Sequence, residues 1–327
     1  MKEFENKIYR RLLAPVLACL VLALAGCSQD ATEEEAPSSP TGGTYLTIVT
    51  RGINTTDDTQ YEDYVKTLRV IAFKGGTLAL NELLEGDDIP ETSGTEDEVE
   101  LIGVEKLKVG NGGGAYTFYF IANEEGHTTT ENANLSQVLA EITSENDLNN
   151  IEVNFADKDT PMLMSTHQTE YIEEGVDKSI TIKLVRTVAK INLNVINETH
   201  KEQTLTGISF SKMNVQTASL IEGSELPSDG SDFIPYMNDI TVSADSQIED
   251  QMAYIFESSV TGNDVYTMSL NWNGKLYSEN LSGVLGTEFK RNTELEINIT
   301  LKQTYTLEFT VLVLAWTPID VDVPAFE

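Results

Sequence analysis

Three histidines, two cysteines and several paired aspartates are the side chains in this 327-residue sequence with the chemistry for catalysis or metal binding, so their spacing comes first. His127, His167 and His200 lie in polar, loop-like contexts. None has HExxH spacing or stands beside a nucleophile signature, so all three read as solvated loop histidines. The run Asn111-Gly112-Gly113-Gly114 has the composition of a phosphate cradle. It precedes a strand-like segment instead of opening a helix and lacks a following Lys-Ser/Thr, which makes it a β-turn. Asp57-Asp58, Asp87-Asp88 and Asp229-Gly230-Ser231-Asp232 miss the spacing of an EF-hand loop and read as acidic loops. No catalytic residue, metal site or cofactor is assigned, and a hydrolase would need a convergent acid/base or nucleophile pair that the sequence does not announce.

The cysteines carry a more specific message. Lys2, Lys7, Arg10 and Arg11 form a positive region, followed by an apolar run from Leu12 to Ala25 and then Leu24-Ala25-Gly26-Cys27. The run falls short of the roughly 20 residues needed to span a bilayer. Small residues directly before a cysteine are what lipoprotein processing requires, because Cys27 must become both the new N-terminus and the thioether acceptor for a diacylglycerol. Residues 1–26 are therefore expected to be a lipoprotein signal peptide. Cys19 leaves with it, so the mature chain keeps a single cysteine and no intrachain disulfide. An exported chain of this size without staples depends on well-filled cores.

Composition narrows the partners. With 21 basic and 53 acidic side chains the formal net charge is −32, a field that repels phosphate backbones and anionic membrane surfaces. Nucleic acid is excluded as a partner, and the membrane is reached only through the lipid on Cys27. Glu33-Glu34-Glu35 and Pro37-Ser38-Ser39-Pro40-Thr41-Gly42-Gly43 are too polar and turn-rich to bury anything, so 28 to about 43 is a tether.

The elements that follow read as strands: Thr44 to Thr50, Thr67 to Lys74, Val99 to Val109, Ala115 to Asn123, Ser179 to Ile196, Leu205 to Asn214, Met252 to Ser258, Val265 to Trp272, Lys275 to Leu281, Glu294 to Leu301 and Thr304 to Trp316. Asn273-Gly274 between two of them predicts a tight two-residue hairpin. Tyr116, Phe118 and Phe120 alternate and share one sheet face; a glycan-stacking platform is the other reading. One segment has helical spacing, with Leu135, Val138, Leu139 and Ile142 at i, i+3, i+4 and i+7 and Asn134 placed to cap it. The polar break Asn197 to Gln203 divides the chain, and an all-β fold of two β-sandwich domains, 52–198 and 199–327, with one short helix in the first, fits the strand count.

The lipobox at Cys27, Tyr119-Phe120-Ile121-Ala122-Asn123, Pro161-Met162-Leu163-Met164-Ser165, Leu184-Val185-Arg186-Thr187-Val188-Ala189-Lys190-Ile191 and Arg291-Asn292-Thr293-Glu294-Leu295-Glu296-Ile297 stand in the order seen in fimbrillins. Over nearly its whole length the chain resembles these lipoprotein-precursor subunits of type V pili of the Bacteroidales, the major fimbrial subunit among them. The acidic residues after Cys27 resemble the surface-export signal of outer-membrane lipoproteins in the same group. The resemblance implies transthyretin-like sandwiches and export to the outer membrane as a lipidated precursor. An arginine-specific surface protease would then remove residues 27–51, the tether and first strand, and the product would enter a cell-surface fimbrium.

On this resemblance Arg51, followed by Gly52, is the scissile position. Tyr45, Leu46, Ile48 and Val49 belong to the displaced strand, whose loss would open a groove for a strand from the next subunit. The donor is placed in the C-terminal segment, with Phe309, Val311, Val313 and Trp316 as candidates; alternatively 304–316 is the last strand of the second sandwich and only the tail past Trp316 is free. Pro318 and Pro324 lack an amide donor and restrict that tail. Partners implied are copies of the chain, other pilus subunits, the protease, and host proteins or glycans. Arg51 favours a shaft subunit; a pilus anchor or tip subunit and a surface glycan-binding lipoprotein are the alternatives.

Overall fold

A computed structural model describes residues 44–47, 62, 65–85, 91–93, 100–102, 106–110, 112–156, 160–176, 178–180, 182–223, 225–228, 230–235, 239–316 and 319–321. For 44–47, 91–93, 100–102, 106–110, 178–179 and 319–321 it describes the backbone path. The strands of the first half are β1 (Thr44–Thr47), β2 (Thr67–Lys74), β3 (Thr77–Glu85), β4 (Glu91–Ser93), β5 (Glu100–Ile102), β6 (Lys106–Gly110), β7 (Gly114–Ala122), β8 (Glu152–Asn154), β9 (Met164–Ile172), β10 (Lys178–Ser179) and β11 (Ile182–Arg186). The second half holds β12 (Val188–Asn197), β13 (Gln203–Asn214), β14 (Thr217–Ser219), β15 (Ser231–Phe233), β16 (Ile240–Val242), β17 (Ser246–Phe256), β18 (Ser258–Ser259), β19 (Thr267–Trp272), β20 (Lys275–Asn280), β21 (Glu288–Phe289), β22 (Thr293–Leu301), β23 (Leu307–Ala315) and β24 (Ile319–Val321). Helices α1 (Leu135–Ala140) and α2 (Glu145–Asn149) lie between β7 and β8, and α3 (Ser282–Leu285) between β20 and β21.

The second core shows most simply how alternation makes a sandwich. In β22 Leu295, Ile297, Ile299 and Leu301 are fully buried, while Glu294, Glu296, Asn298 and Thr300 face away. The inward residues meet Ala189, Ile191, Leu193 and Val195 of β12 and, from the facing sheet, Leu205, Phe210, Met268, Leu270 and Trp272. Two sheets, ordered β17-β12-β22-β23 and β15-β13-β19-β20, thus close on one apolar layer. Asn273 and Gly274, at φ 50° and 75°, turn β19 into β20 with Trp272 opposite Lys275, the expected hairpin.

The first sheet runs β24-β11-β9-β7-β2-β3 and is covered on both faces. Along β7, Tyr116, Phe118 and Phe120 enter one core with Leu68, Val70 and Ala72 of β2. Tyr119 and Ile121 enter another with Leu135, Leu139 and Leu148 of the two helices. Burial on both faces explains why β2 and β7 are almost uninterrupted apolar runs. The Asn134 side chain accepts from the Gln137 amide at 3.1 Å, the expected cap. Ser144 caps α2 in the same way at 3.1 Å, a helix the apolar pattern did not announce because only Leu148 is buried in it.

The run 179–196 is broken at Thr187: β11 joins the first sheet, and β12 enters the sheet β17-β12-β22-β23, pairing in parallel with β22 and antiparallel with β17. The chain changes sheet one strand ahead of the polar break at 197–203. Residues of the second half also pack on the first sheet, with Ala218, Leu220, Ile221 and Phe256 closing the core beneath α1 and α2. A buried pair secures this contact: Arg291 Nη2 lies 2.5 Å from Glu257 and donates to the Ser219 carbonyl at 2.7 Å.

Candidate functional site

The chemistry-capable residues do not converge. His127 is buried, with Nε2 3.0 Å from the Pro161 carbonyl oxygen, and burial holds its pKa below the usual histidine value. His167 sits within β9 and stacks on Tyr119 at 5.5 Å. The solvated-loop reading fails for His127, whose loop folds inward, while His167 is exposed as expected but belongs to a strand instead of a loop. His200 is exposed, with Nδ1 3.1 Å from Asp245. Lys74 Nζ donates to the carbonyls of Gly112 and Gly113 at 3.0 and 2.9 Å, so a cation already occupies the glycine turn. Tyr116, Phe118 and Phe120 are at most 1% exposed, which removes them as a glycan platform. Among the described residues no three His, Cys, Asp or Glu side chains gather into a metal site, and no helix is long and apolar enough to cross a membrane.

The backbone arrangement at the first strand is more informative. β1 lies between two strands. It pairs antiparallel with β6, Tyr45 to Lys108, Leu46 to Leu107 and Thr47 to Lys106, with a register shift between Thr44 and Tyr45. On its other side it pairs parallel with β10, Leu46 to Lys178 and Thr47 to Ser179. β1 is thus the central strand of the sheet β10-β1-β6. If it leaves, two edges facing one slot lose their partner together. Tyr45 and Leu46 are placed by this pairing; Ile48, Val49, Arg51, Gly52 and Cys27 lie outside the described residues.

At the other end of the chain, β23 is the outermost strand of its sheet and is paired along its whole length with β22, from Thr293 opposite Ala315 to Leu301 opposite Leu307. Phe309 and Val311 pack against the second core. Further along, Val313 is 41% exposed, and Leu312 and Leu314 are nearly equally so, an apolar surface on an open edge. Trp316 then turns inward and joins the first core. Past it, β24 crosses to the first sheet and pairs antiparallel with β11, Ile319 opposite Leu184 and Val321 opposite Ile182. Residues 307–315 are accordingly a sheet strand, and residues 319–321 form a separate strand on a different sheet's edge.

This architecture has relatives among solved structures. The chain is similar to the tip fimbrial protein Mfa3 from Porphyromonas gingivalis with C-terminal truncation, at 18% identity and TM-score 0.55 over 84% of this chain and 99% of that one. It is also similar to a fimbrial assembly protein from Parabacteroides distasonis, at 15% identity and TM-score 0.53 over 82% and 94%. A fimbrilin from Porphyromonas gingivalis W83 aligns at 10% identity and TM-score 0.51 over 87% and 99%. Identities this low establish a common fold. No protein of curated function matches the sequence. A family profile, described as fimbrillin-A associated anchor proteins Mfa1 and Mfa2, matches residues 32–322. The match spans most of the chain, which belongs to the family of fimbrillin-A associated anchor proteins Mfa1 and Mfa2.

Proposed function

We propose that this chain is a non-enzymatic structural subunit of a cell-surface pilus that is exported as a lipoprotein on Cys27 and joins a neighbouring subunit by exchanging its first strand for one of that neighbour's. The observation that carries the reading is the position of β1 between β6 and β10. A strand with two partners hides two edges at once, and an extended segment of another chain restores both sets of hydrogen bonds when it takes the same place. Arg51, just past β1, is the proposed scissile residue for an arginine-specific surface protease, with Gly52 after it. The donor is the C-terminal segment. The open edge and exposed apolar face of β23 favour one part of it, and the separate short strand β24 favours the other. Head-to-tail addition of this kind does not close on itself and yields a filament. Adhesion to host proteins or glycans would follow from the assembled fimbrium.

A second reading, a pilus anchor that keeps its lipid, is favoured by the description of the family whose profile matches. Limited trypsin treatment of the lipid-free precursor, followed by N-terminal sequencing and gel electrophoresis without heating, separates the two. Cutting after Arg51 with SDS-resistant ladders supports a shaft subunit. A chain protected at Arg51, or monomeric after the cut, overturns the shaft reading in favour of the anchor.

A further inference from the structure

Tyr305 stands where a bulky side chain seldom does. It is 65% exposed, and its φ of 58° lies in the left-handed region that glycine and asparagine favour. The turn from β22 to β23 holds it there. The Tyr305 amide donates to the Lys302 carbonyl at 3.0 Å, and the Lys302 amide donates to the Thr306 carbonyl at 3.0 Å. The Tyr277 hydroxyl adds a bond to the Tyr305 carbonyl at 3.3 Å. Backbone strain kept at an exposed aromatic, where burial does not demand it, points to a use for the ring.

The ring has a rigid backing and a polar rim. Trp272, buried, has its ring 6.3 Å from that of Tyr305 and 6.1 Å from that of Tyr277, and its Nε1 donates to Gln203 Oε1 at 2.8 Å. Asn273 Nδ2 lies 3.5 Å from the same Gln203 oxygen, and Lys275 Nζ sits over the Tyr277 ring at 4.6 Å. The start of β13, the β19–β20 hairpin and the β22–β23 turn thus bring two tyrosines, two amides and an ammonium together. A sugar ring fits this set, because its C–H bonds rest on the electron-rich aromatic face while its hydroxyls meet the rim. Other ligands of an exposed ring fit less well. Lys302, Gln303, Thr304 and Thr306 flank Tyr305 in sequence, so its turn offers no apolar patch of the size a protein interface buries. A stacked nucleobase would bring phosphate to a chain of net charge −32, and the same charge opposes acidic sugars.

We propose that Tyr305 and Tyr277, backed by Trp272 and rimmed by Gln203, Asn273 and Lys275, form a stacking site for uncharged glycans. The site takes pyranoses with equatorial substituents, whose ring faces present axial C–H bonds to an aromatic. The inference rests on the adhesive part of the reading above and not on strand exchange. Tyr305 lies at the Leu301–Leu307 end of the β22–β23 ladder, whereas Trp316, which joins the first core, follows the Thr293–Ala315 end. The nine residues of β23 between them span roughly 27 Å at the usual rise of a strand.

The test titrates the whole lipid-free chain with cellotriose and with chitotriose, and with sialyllactose as the charged comparison, followed by saturation-transfer NMR and calorimetry. Three variants accompany it: Tyr305→Asn, Tyr305→Phe and Asn273→Ala. Asparagine suits a positive φ, so Tyr305→Asn removes the ring while leaving the thermal midpoint unchanged or raised. It is expected to weaken binding of the uncharged trisaccharides roughly tenfold, the scale of one aromatic stacking contact. Tyr305→Phe should stay close to the unsubstituted chain, and Asn273→Ala should weaken binding by a smaller factor than Tyr305→Asn. Failure of both uncharged trisaccharides to bind, or equal affinity in Tyr305→Asn, overturns the site, and preference for sialyllactose overturns the uncharged class. Ladder formation after trypsin is scored separately. Ladders lost in Tyr305→Asn with sugar affinity unchanged make the ring a subunit contact and overturn the proposal. Ladders without sugar binding refute the glycan site alone, and sugar binding that depends on Tyr305 without ladders refutes strand exchange while the site stands.

Discussion

Replacing Leu46 with proline tests the slot directly. Leu46 pairs with Leu107 on one side and Lys178 on the other, so proline there removes an amide from the middle of a strand flanked by two partners. The strand has four register positions on β6 and two on β10. At a net value of about 1 kcal/mol per hydrogen bond, losing the bond at Leu46 and distorting its neighbours costs on the order of 2–3 kcal/mol. Since 1.4 kcal/mol is a factor of ten, the open population of the slot should rise roughly 30- to 150-fold. Native-state hydrogen exchange of the amides in 106–110 and 178–179 reads that population. Leu46→Pro should lower their protection by this factor, with Leu46→Val close to the unsubstituted chain and β2 and β7 unaffected. Unchanged protection at β6 and β10 would mean that β1 does not hold the slot. Equal loosening of β2 and β7 would mean that the strand is an ordinary part of the first body and not a replaceable one.

Cys27→Ala should abolish incorporation of labelled palmitate and shift the protein out of the detergent phase on partitioning. Glu124→Ala leaves Arg69 buried without the carboxylate that accepts its Nε and Nη2 at 2.7 Å each and also binds Ser136 of α1 at 2.6 Å. The expected loss is about 3–5 kcal/mol, measured as a denaturation midpoint, and the double change Arg69→Met with Glu124→Leu should recover most of it. His127 should add an acid-side instability. Burial lowers its folded pKa beneath the unfolded value of about 6.5. Its contribution is therefore fully present above pH ~6.5 and is lost as pH falls from there through the folded pKa, because the unfolded chain takes up the proton first. His127→Gln should flatten the stability profile in that window while leaving it unchanged at pH 8.

What the sequence revealed depended on whether a local pattern matched a single environment. β2 lies where expected, residue for residue, because every position from Thr67 to Phe73 is buried and a run of that length carries its own signal. The Asn273-Gly274 hairpin and the Asn134-capped helix were legible because each rests on the backbone demands of one or two residues. β9, Met164–Ile172, was missed: its middle, Thr166 to Tyr171, is polar or exposed, so neither apolar runs nor aromatic alternation mark it. The break at Thr187 was invisible for the opposite reason. Both flanking strands are largely buried, so hydrophobicity continues across a point where the chain leaves one sheet for another. The cluster around Trp316 has no local signature at all, since Glu62, Arg186, Tyr254, Asn292 and Trp316 come from five stretches spread over most of the chain.

The distribution of charge bears on how such subunits meet. The chain has 21 basic residues, and among the described residues four, Arg69, Arg186, Lys190 and Arg291, are each less than a tenth exposed and committed to buried partners. Three acids, Glu62, Glu124 and Glu257, are buried with them, so the exterior keeps essentially the strong acidity of the composition. Two copies approaching one another repel over the Debye length, about 8 Å at physiological ionic strength. Attraction must then come from short-range terms that screening and like charge do not cancel: backbone hydrogen bonds at an opened sheet edge and burial of apolar side chains such as Leu312, Val313 and Leu314 on β23. If subunits join by strand exchange, a surface of this kind would keep them apart until an edge is exposed. On the strand-exchange proposal, the step that would control association is the opening of the slot between β6 and β10, and not the frequency of encounter.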